Sequence, residues 1–210
     1  ISYGRGRLGR EFWDKFYFSD YVPVHISSYN VLISASIPLY YEYVHGGAVK
    51  PGISKHEPFK MYSWREENIP ALRNEAYMPS INDIGKVLHI STVKNWDVIA
   101  EWYSDITRVQ SKEDFEINEA WKEIFPAGAG KLDDFTKARK IYEYIEKNIA
   151  YSSVSFRQGA YVPQRAGKTL VTRLGDCKDL STLFLSFARK AGLEANLILV
   201  STQDYGQHNM

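Results

Sequence analysis

One short stretch of the sequence contains the residues best suited to covalent chemistry. Residues 173–180 read RLGDCKDL and include the only cysteine of the chain, Cys177. The apolar residues that follow recur at the spacing of one helical face. Asp176 can cap that helix, because its carboxylate can accept from the first free backbone amides, and Asp179 adds a second acid to the first turn. The pattern predicts Cys177 at the first residue of an amphipathic helix.

A cysteine at this position has the properties of a nucleophile. The thiolate, not the thiol, attacks a carbonyl carbon, and the amides of a helix N-terminus together with the adjacent Lys178 favour the negative charge. The alternative is that Cys177 is a small buried hydrophobe, which is the commoner role of a single cysteine. The Gly-Asp-Cys order favours the nucleophile, because a structural cysteine is expected on the apolar face further along the helix.

The composition excludes several classes of protein. The 210 residues are 44% hydrophobic and 24% charged, as in a globular protein, and the net charge of +1 gives no basic field for nucleic acid or an anionic membrane. The longest apolar runs are too short to insert into a bilayer. One cysteine excludes an intrachain disulfide and a multi-cysteine zinc site, and the five histidines have no ligand spacing. We therefore expect no metal and no cofactor.

The distribution of residues predicts an α+β fold in two parts. Residues 1–92 are predicted to form an antiparallel β-rich domain, a sandwich or half-barrel, because β-branched and aromatic segments alternate with turn formers. Residues 93–210 change to helical periodicity and are predicted to be a helical linker followed by an α+β core. The predicted strands are 16–18, 22–26, 31–37, 39–44, 61–64, 87–91 and 195–201, with a turn at 27–28 and an irregular connector at 66–72. The predicted helices are 94–109, 113–124, 132–149 and the cysteine helix, with loop and short extended structure at 152–168.

Two glycine-containing segments resemble phosphate-binding motifs and are set aside. Residues 4–9 (GRGRLG) match the dinucleotide pattern, but only three residues precede them, so the buried strand that the motif requires is missing. Residues 166–169 (AGKT) resemble the end of a phosphate loop, but Val162 occupies the position of its first glycine. A nucleotide-binding α/β domain is therefore disfavoured.

The cysteine motif resembles that of the transglutaminase-like superfamily, a papain-like group of cysteine enzymes. The resemblance starts from GDCKD at 175–179, followed by AGLEA at 191–195 and a predicted strand that ends near Thr202. It extends back to Leu132 and includes a helix and the Tyr-Val-Pro loop at 161–163. The fold class implied for this part is a truncated transglutaminase-like (papain-like) α+β core.

The β-rich part carries a second resemblance. Residues 1 to about 110 are similar to the domain of unknown function that often precedes such a core in exported bacterial proteins. The segments at 68–70, 77–79 and 96–102 carry it. This resemblance implies an exported, periplasmic location, although no signal peptide is visible in the sequence.

The resemblance implies a Cys-His-Asp triad in which Cys177 attacks an amide or acyl carbonyl. The backbone N–H of Cys177 would form half of an oxyanion hole, and Gln158 and Gln164 are the candidates for the second donor. Tyr161 is a candidate for the wall of the substrate cleft, with packing against the helix as the alternative. The implied substrate is a peptide or protein, and the reaction is hydrolysis or transfer.

The sequence departs from the family pattern after the cysteine helix. The family's histidine opens the next strand, commonly after an asparagine, whereas His208 precedes Asn209 in a loop-like stretch, and no aspartate strand follows. We interpret the chain as a fragment that is inactive alone and whose incomplete sheet could pair by its edge strand with another chain. His208 is the candidate base. Asp176 is a further candidate for the oxyanion or substrate-binding site. The alternative to an enzyme is a binding or scaffold module in which the aromatic β domain would hold a peptide or glycan.

Overall fold

The computed structural model describes residues 11–45, 47, 49–152 and 161–200. These residues form two compact units, of which the first is built on residues 11–99 and the second comprises Ala100–Leu199. The α+β fold class is confirmed, with antiparallel strands in the first unit and mainly helices in the second. The predicted domain limits, 1–92 and 93–210, remain a prediction.

The first unit contains two three-stranded antiparallel sheets, in the orders β1-β6-β3 and β2-β5-β4. Aromatic and β-branched residues of both sheets share one hydrophobic cluster, in which Trp64 and Leu88 are completely buried and Phe18 nearly so. All five residues of β6 are buried, because this central strand is paired on both edges. The elements are β1 (Trp13–Tyr17), β2 (Val24–Ser34), β3 (Tyr40–Val44), β4 (Gly52–His56), β5 (Phe59–Ile69), α1 (Ile81–Ile84) and β6 (Val87–Ser91).

Several strand limits differ from those predicted for this unit. The predicted turn at Ser27–Ser28 was wrong, because both residues pair with β5 and β2 continues through them. The predicted connector at 66–72 was wrong in its first four residues, which complete β5. β4, which begins at Gly52, was not among the predicted strands. Pairing with the long partner strand overrides the local turn signals of serine and glycine.

The second unit is a group of helices around α6, which begins at Cys177. Ile141, Leu183 and Phe187 are completely buried in its hydrophobic cluster, to which α3, α4, α5 and α6 all contribute. Aspartates cap three of its helices: the side chain of Asp114 accepts from the amide of Ile117 and the cap of α4 is formed similarly. The elements are α2 (Trp96–Gln110), α3 (Phe115–Ile124), α4 (Asp134–Asn148), β7 (Ala150–Tyr151), α5 (Ala166–Thr172), β8 (Leu174–Gly175) and α6 (Cys177–Lys190).

The sequence located α2, α3, α4 and α6, but two of its predictions in this unit were wrong. Residues 166–168, assigned to a loop, begin α5, a helix of seven residues that is too short to show a clear period. Residues 195–200, assigned to a strand, form none in the part of the chain that the structure describes. Ile198 and Val200 are 82% and 83% exposed, so these strand-forming residue types are not packed in a core here.

Short elements bring the cysteine helix into position. β8 directly precedes α6 and pairs in parallel with β7, which directly follows α4. The amide of Ser152 donates to the carbonyl of Gly175 at 2.9 Å, so the residue two before Cys177 is fixed by the adjacent strand. Among the described residues, no helix has the length and apolar character needed to cross a bilayer.

Candidate active site

Cys177 is the first residue of α6, and it is exposed. The prediction from the sequence was that the cysteine opens an amphipathic helix, and the structure places it there. Its side chain is not enclosed in the apolar cluster, so the alternative of a buried structural cysteine is excluded. An exposed thiol at the positive end of a helix of 14 residues is accessible to an electrophile and lies where negative charge is stabilised.

Asp176 and Asp179 form a complete capping box at the start of α6, on either side of Cys177 in the sequence. Asp176 Oδ1 accepts from the amides of Lys178 and Asp179 at 3.1 and 3.3 Å, and Asp179 Oδ2 accepts from the amide of Asp176 at 3.2 Å. The carboxylate of Asp176 also forms an ion pair with the ammonium group of Lys178. Because its ammonium group pairs with the carboxylate of Asp176, Lys178 stabilises the residue that caps α6.

Gln164 supports the capping box from the loop before α5. Its backbone amide donates to Asp179 Oδ1 at 2.9 Å, and its side-chain Nε2 donates to the carbonyl of Leu174 at 2.9 Å and to Asp179 Oδ2 at 3.3 Å. Both side-chain hydrogens of this amide are thus used to hold β8 and the first turn of α6. Gln164 therefore positions the cysteine helix here, and its role as an oxyanion donor stays a prediction.

Gly175 provides the space in which the capping box closes. A Cβ atom at this residue would lie 2.9 Å from the Cβ of Asp179 and 3.2 Å from a methyl carbon of Thr169. The first of these neighbours is fixed by the backbone of α6, so it cannot move aside without moving the helix. A glycine is required at this point because only it lets β8 approach the first turn so closely.

We expect Gly175→Ala to destabilise the protein by about 1–3 kcal/mol, the range for adding an atom to a well-packed interior. The free energy of unfolding, measured by urea titration, tests this expectation. Gly130→Ala is the matched control, since a Cβ there meets nothing within 4 Å, and we expect it to change that free energy by less than about 1 kcal/mol. Equal effects of the two substitutions would contradict the close approach.

The other residues predicted for the site are placed as follows. Tyr161 is 45% exposed, and the structure does not assign it to either of its two predicted roles. Gln158 and His208 lie outside the described residues. The described residues include no group of three or more His, Cys, Asp and Glu side chains that could hold a metal ion.

Tyr103 of α2 has an electrostatic interaction with the start of α6 that the sequence did not indicate. Burial raises the pKa of Tyr103, and electrostatic interactions with three groups at the start of α6 raise it further. At neutral pH Tyr103 is therefore protonated and can donate a hydrogen bond. The three groups are Cys177, Asp176 and Asp179.

A groove of about 680 Å³ adjoins the cysteine helix within the second unit. Leu180 and Ser181 line it, and they lie one turn after Cys177 on the same face of α6. Two tyrosines, Tyr142 and Tyr151, form part of its wall and are 59% and 63% exposed. The exposed thiol and an apolar, aromatic groove thus share one face of the helix.

Comparison with known proteins supports the interpretation of this part of the chain. The sequence model of the transglutaminase-like superfamily matches residues 123–209, so the resemblance predicted from the cysteine motif is confirmed there. A solved structure described as a "putative protease" from Parabacteroides distasonis has a similar fold, with a TM-score of 0.71 and 17% identity. The similarity covers 90% of this chain and 36% of that one, so the chain spans about a third of that protein. No curated protein matched the sequence.

Proposed function

We propose, on the premise that residues 123–209 match the transglutaminase-like superfamily, that this chain is part of a cysteine-dependent acyl-transfer enzyme. Cys177 is the nucleophile, and the substrate is a peptide or protein amide. The observation that carries the proposal is the exposed thiol of Cys177 at the first residue of α6. The capping box of Asp176 and Asp179 holds this helix start in place. The positive end of the α6 dipole favours the thiolate, which is the form that attacks a carbonyl carbon.

The remaining parts of the triad are proposed from the family alone. His208 is the candidate for the base, and the family's aspartate would orient its imidazole. The backbone N–H of Cys177 and the side chain of Gln158 are the candidates for the oxyanion hole, since Gln164 has both side-chain hydrogens engaged elsewhere. An exported location and edge pairing with another chain also belong to this proposal, and only the family resemblance supports the location.

Alkylation tests the nucleophile directly, because the chain has a single cysteine. Iodoacetamide should modify Cys177 at least about tenfold faster than it modifies glutathione at the same pH, since the thiol is exposed and the positive end of a helix stabilises the reacting sulfur. Formation of a thioester at Cys177 from 4-nitrophenyl acetate, detected by intact-mass analysis, should follow. Alkylation at the rate of glutathione, without a thioester, would reject the enzyme if it is also found in the protein that carries the complete triad.

A second candidate function is a peptide- or glycan-binding module that has kept the fold without the chemistry. The groove with its exposed tyrosines favours it, because aromatic side chains supply large contact area in such sites. Binding of peptides that is unaffected by Cys177→Ala, in a chain that forms no thioester, would support this candidate over the enzyme.

A further inference from the structure

The inference concerns the groove beside α6 and rests on the proposed function at Cys177. Leu180, Ser181 and Phe184 line this groove. They follow Cys177 by three, four and seven residues and therefore share the helical face that begins at the thiol. At 1.5 Å per residue, they lie about 4.5, 6 and 10.5 Å further along the axis of α6. A substrate whose acyl carbon reaches the sulfur can therefore place a side chain in the groove.

Backbone pairing holds another part of the groove wall at the start of α6. Tyr151 of β7 lines the groove and is the register partner of Gly175, which lies two residues before Cys177. Neighbouring strands lie about 5 Å apart, so the backbone of this tyrosine is fixed next to the helix start. Arg173 Nη1 also donates to Oδ1 of Asn148, the last residue of α4, at 3.1 Å. The C-terminal end of α4 therefore lies at the same end of this unit as the thiol.

That end of α4 supplies the groove with a carboxylate. Glu146 lines the groove and is exposed, as is Tyr142 one turn before it. The ion pairs among the described residues do not include Glu146, whereas Glu143 of the same helix pairs with Arg139 at 3.6 Å. Lys147, the basic residue of the last turn, is not among the residues that line the groove. Glu146 therefore gives the groove a negative charge that is available to a ligand.

The rest of the lining is mainly apolar and aromatic. Ile145 and Ile149 belong to it and are 8% and 6% exposed, and the rings of Tyr142 and Tyr151 are open to solvent. An apolar groove with one carboxylate fits a long aliphatic side chain that ends in a cation. The tyrosine rings favour a guanidinium over an ammonium, because a guanidinium is planar, stacks on aromatic faces and pairs with a carboxylate through two hydrogen bonds.

We propose that the groove is the subsite for an arginine side chain of the peptide substrate, at the residue whose acyl carbon Cys177 attacks. The methylene groups of the arginine pack against the apolar side chains of α6, and the guanidinium pairs with Glu146 and contacts the tyrosine rings. Glu146 is thus a specificity-determining residue. The substrate class is a peptide with arginine at the acyl position, rather than one with a neutral side chain there.

Two chloromethyl ketones that differ only in charge test this subsite in the 210-residue chain. Acetyl-arginyl chloromethyl ketone carries the guanidinium, and acetyl-citrullyl chloromethyl ketone carries a neutral urea group of the same shape. With either reagent, the sulfur of Cys177 attacks the methylene carbon, a C–S bond forms, and chloride leaves with the pair of the broken C–Cl bond. Intact-mass analysis follows the alkylation, and the rates with glutathione correct for any difference in intrinsic reactivity.

The second-order rate constant for alkylation of Cys177 should be about fivefold to twentyfold larger for the arginyl reagent, because an ion pair and a cation–π contact at a solvent-exposed site each contribute a few-fold. Glu146→Gln keeps the shape of the groove wall and removes its charge. This variant should lower the rate constant for the arginyl reagent by about threefold to fivefold. Its rate constants for the citrullyl reagent and for iodoacetamide should stay within about twofold of the wild-type values.

Glu143→Gln is the matched control, because Glu143 is an exposed glutamate of the same helix that does not line the groove. It should change none of the three rates. Equal corrected rates for the two ketones in the wild type, equal slowing of both ketones in Glu146→Gln, or the same effect in Glu143→Gln would each overturn the arginine subsite. If the arginyl preference depends on Glu146 but the protein that carries the complete triad forms no thioester at Cys177, the subsite stands and the proposed function fails.

Discussion

Replacement of Cys177 with serine is expected to lower the single-turnover acylation rate by a factor on the order of 10³ or more, since a nucleophile removed from an enzyme of this kind costs at least that much. A serine hydroxyl has nearly the same shape, and it sits on the same helix start. It is not ionised there, so the amides of the first turn have no negative charge to stabilise. The release of 4-nitrophenolate in the first turnover, followed by absorbance, measures the change.

The comparison with Cys177→Ala tests whether the sulfur of Cys177 is the nucleophile that takes up the acyl group. Both variants should fall to the rate of uncatalysed ester hydrolysis, and neither should carry an acyl group by intact-mass analysis. Both should unfold at the wild-type urea concentration within error, because the thiol is exposed and belongs to no packed cluster. Acylation that persists in Cys177→Ala would identify a different nucleophile and would contradict the proposed function.

Asp176→Ala is expected to destabilise the protein by about 3–5 kcal/mol, the cost of removing one partner from a buried ion pair. The side chains of Lys178 and Asp176 are only 12% and 9% exposed, so solvent screens their interaction weakly. Without the carboxylate, the ammonium of Lys178 would be left buried without its partner and two amides of the first turn would lose their acceptor. Urea unfolding followed by circular dichroism gives the free energy.

Two further variants separate the ion pair from the cap. Asp176→Asn keeps an oxygen that accepts from the amides but removes the charge, so it should retain the cap's contribution of about 1 kcal/mol. The double variant Asp176→Ala, Lys178→Met removes the stranded cation and should recover most of the loss. If the double variant is as unstable as Asp176→Ala alone, the unpaired Lys178 cation is not the cause of the lost stability.

The helices of the second unit were predictable because each carries its own signals. Apolar residues at helical spacing, an aspartate before the first turn and a break after the last one are local features, and α3, α4 and α6 show all or most of them. The cap at Asp176 follows from the same local rule. The position of Cys177 at the helix start could therefore be inferred before any tertiary contact was known.

The strands were less predictable because a strand is completed by its partner. β2 runs through Ser27–Ser28 because β5 pairs with it along its whole length, and β5 in turn continues past residue 66. Residues 195–200 have equally good strand-forming side chains, and they form no strand in the described part of the chain. The residue types are local, whereas the ladder depends on segments far away in sequence.

The sequence alone determined the chemistry available at the site: one sulfur, an aspartate before it, and a helix that starts between them. Local hydrogen bonds and side-chain periodicity suffice for that, because they involve residues within one turn of each other. Only the tertiary structure decided which distant groups serve the cysteine helix. Gln164 supports the capping box, and Arg189 at the opposite end of α6 donates to the hydroxyl of Ser111. Such contacts depend on the register between helices, which helical periodicity within one segment does not encode.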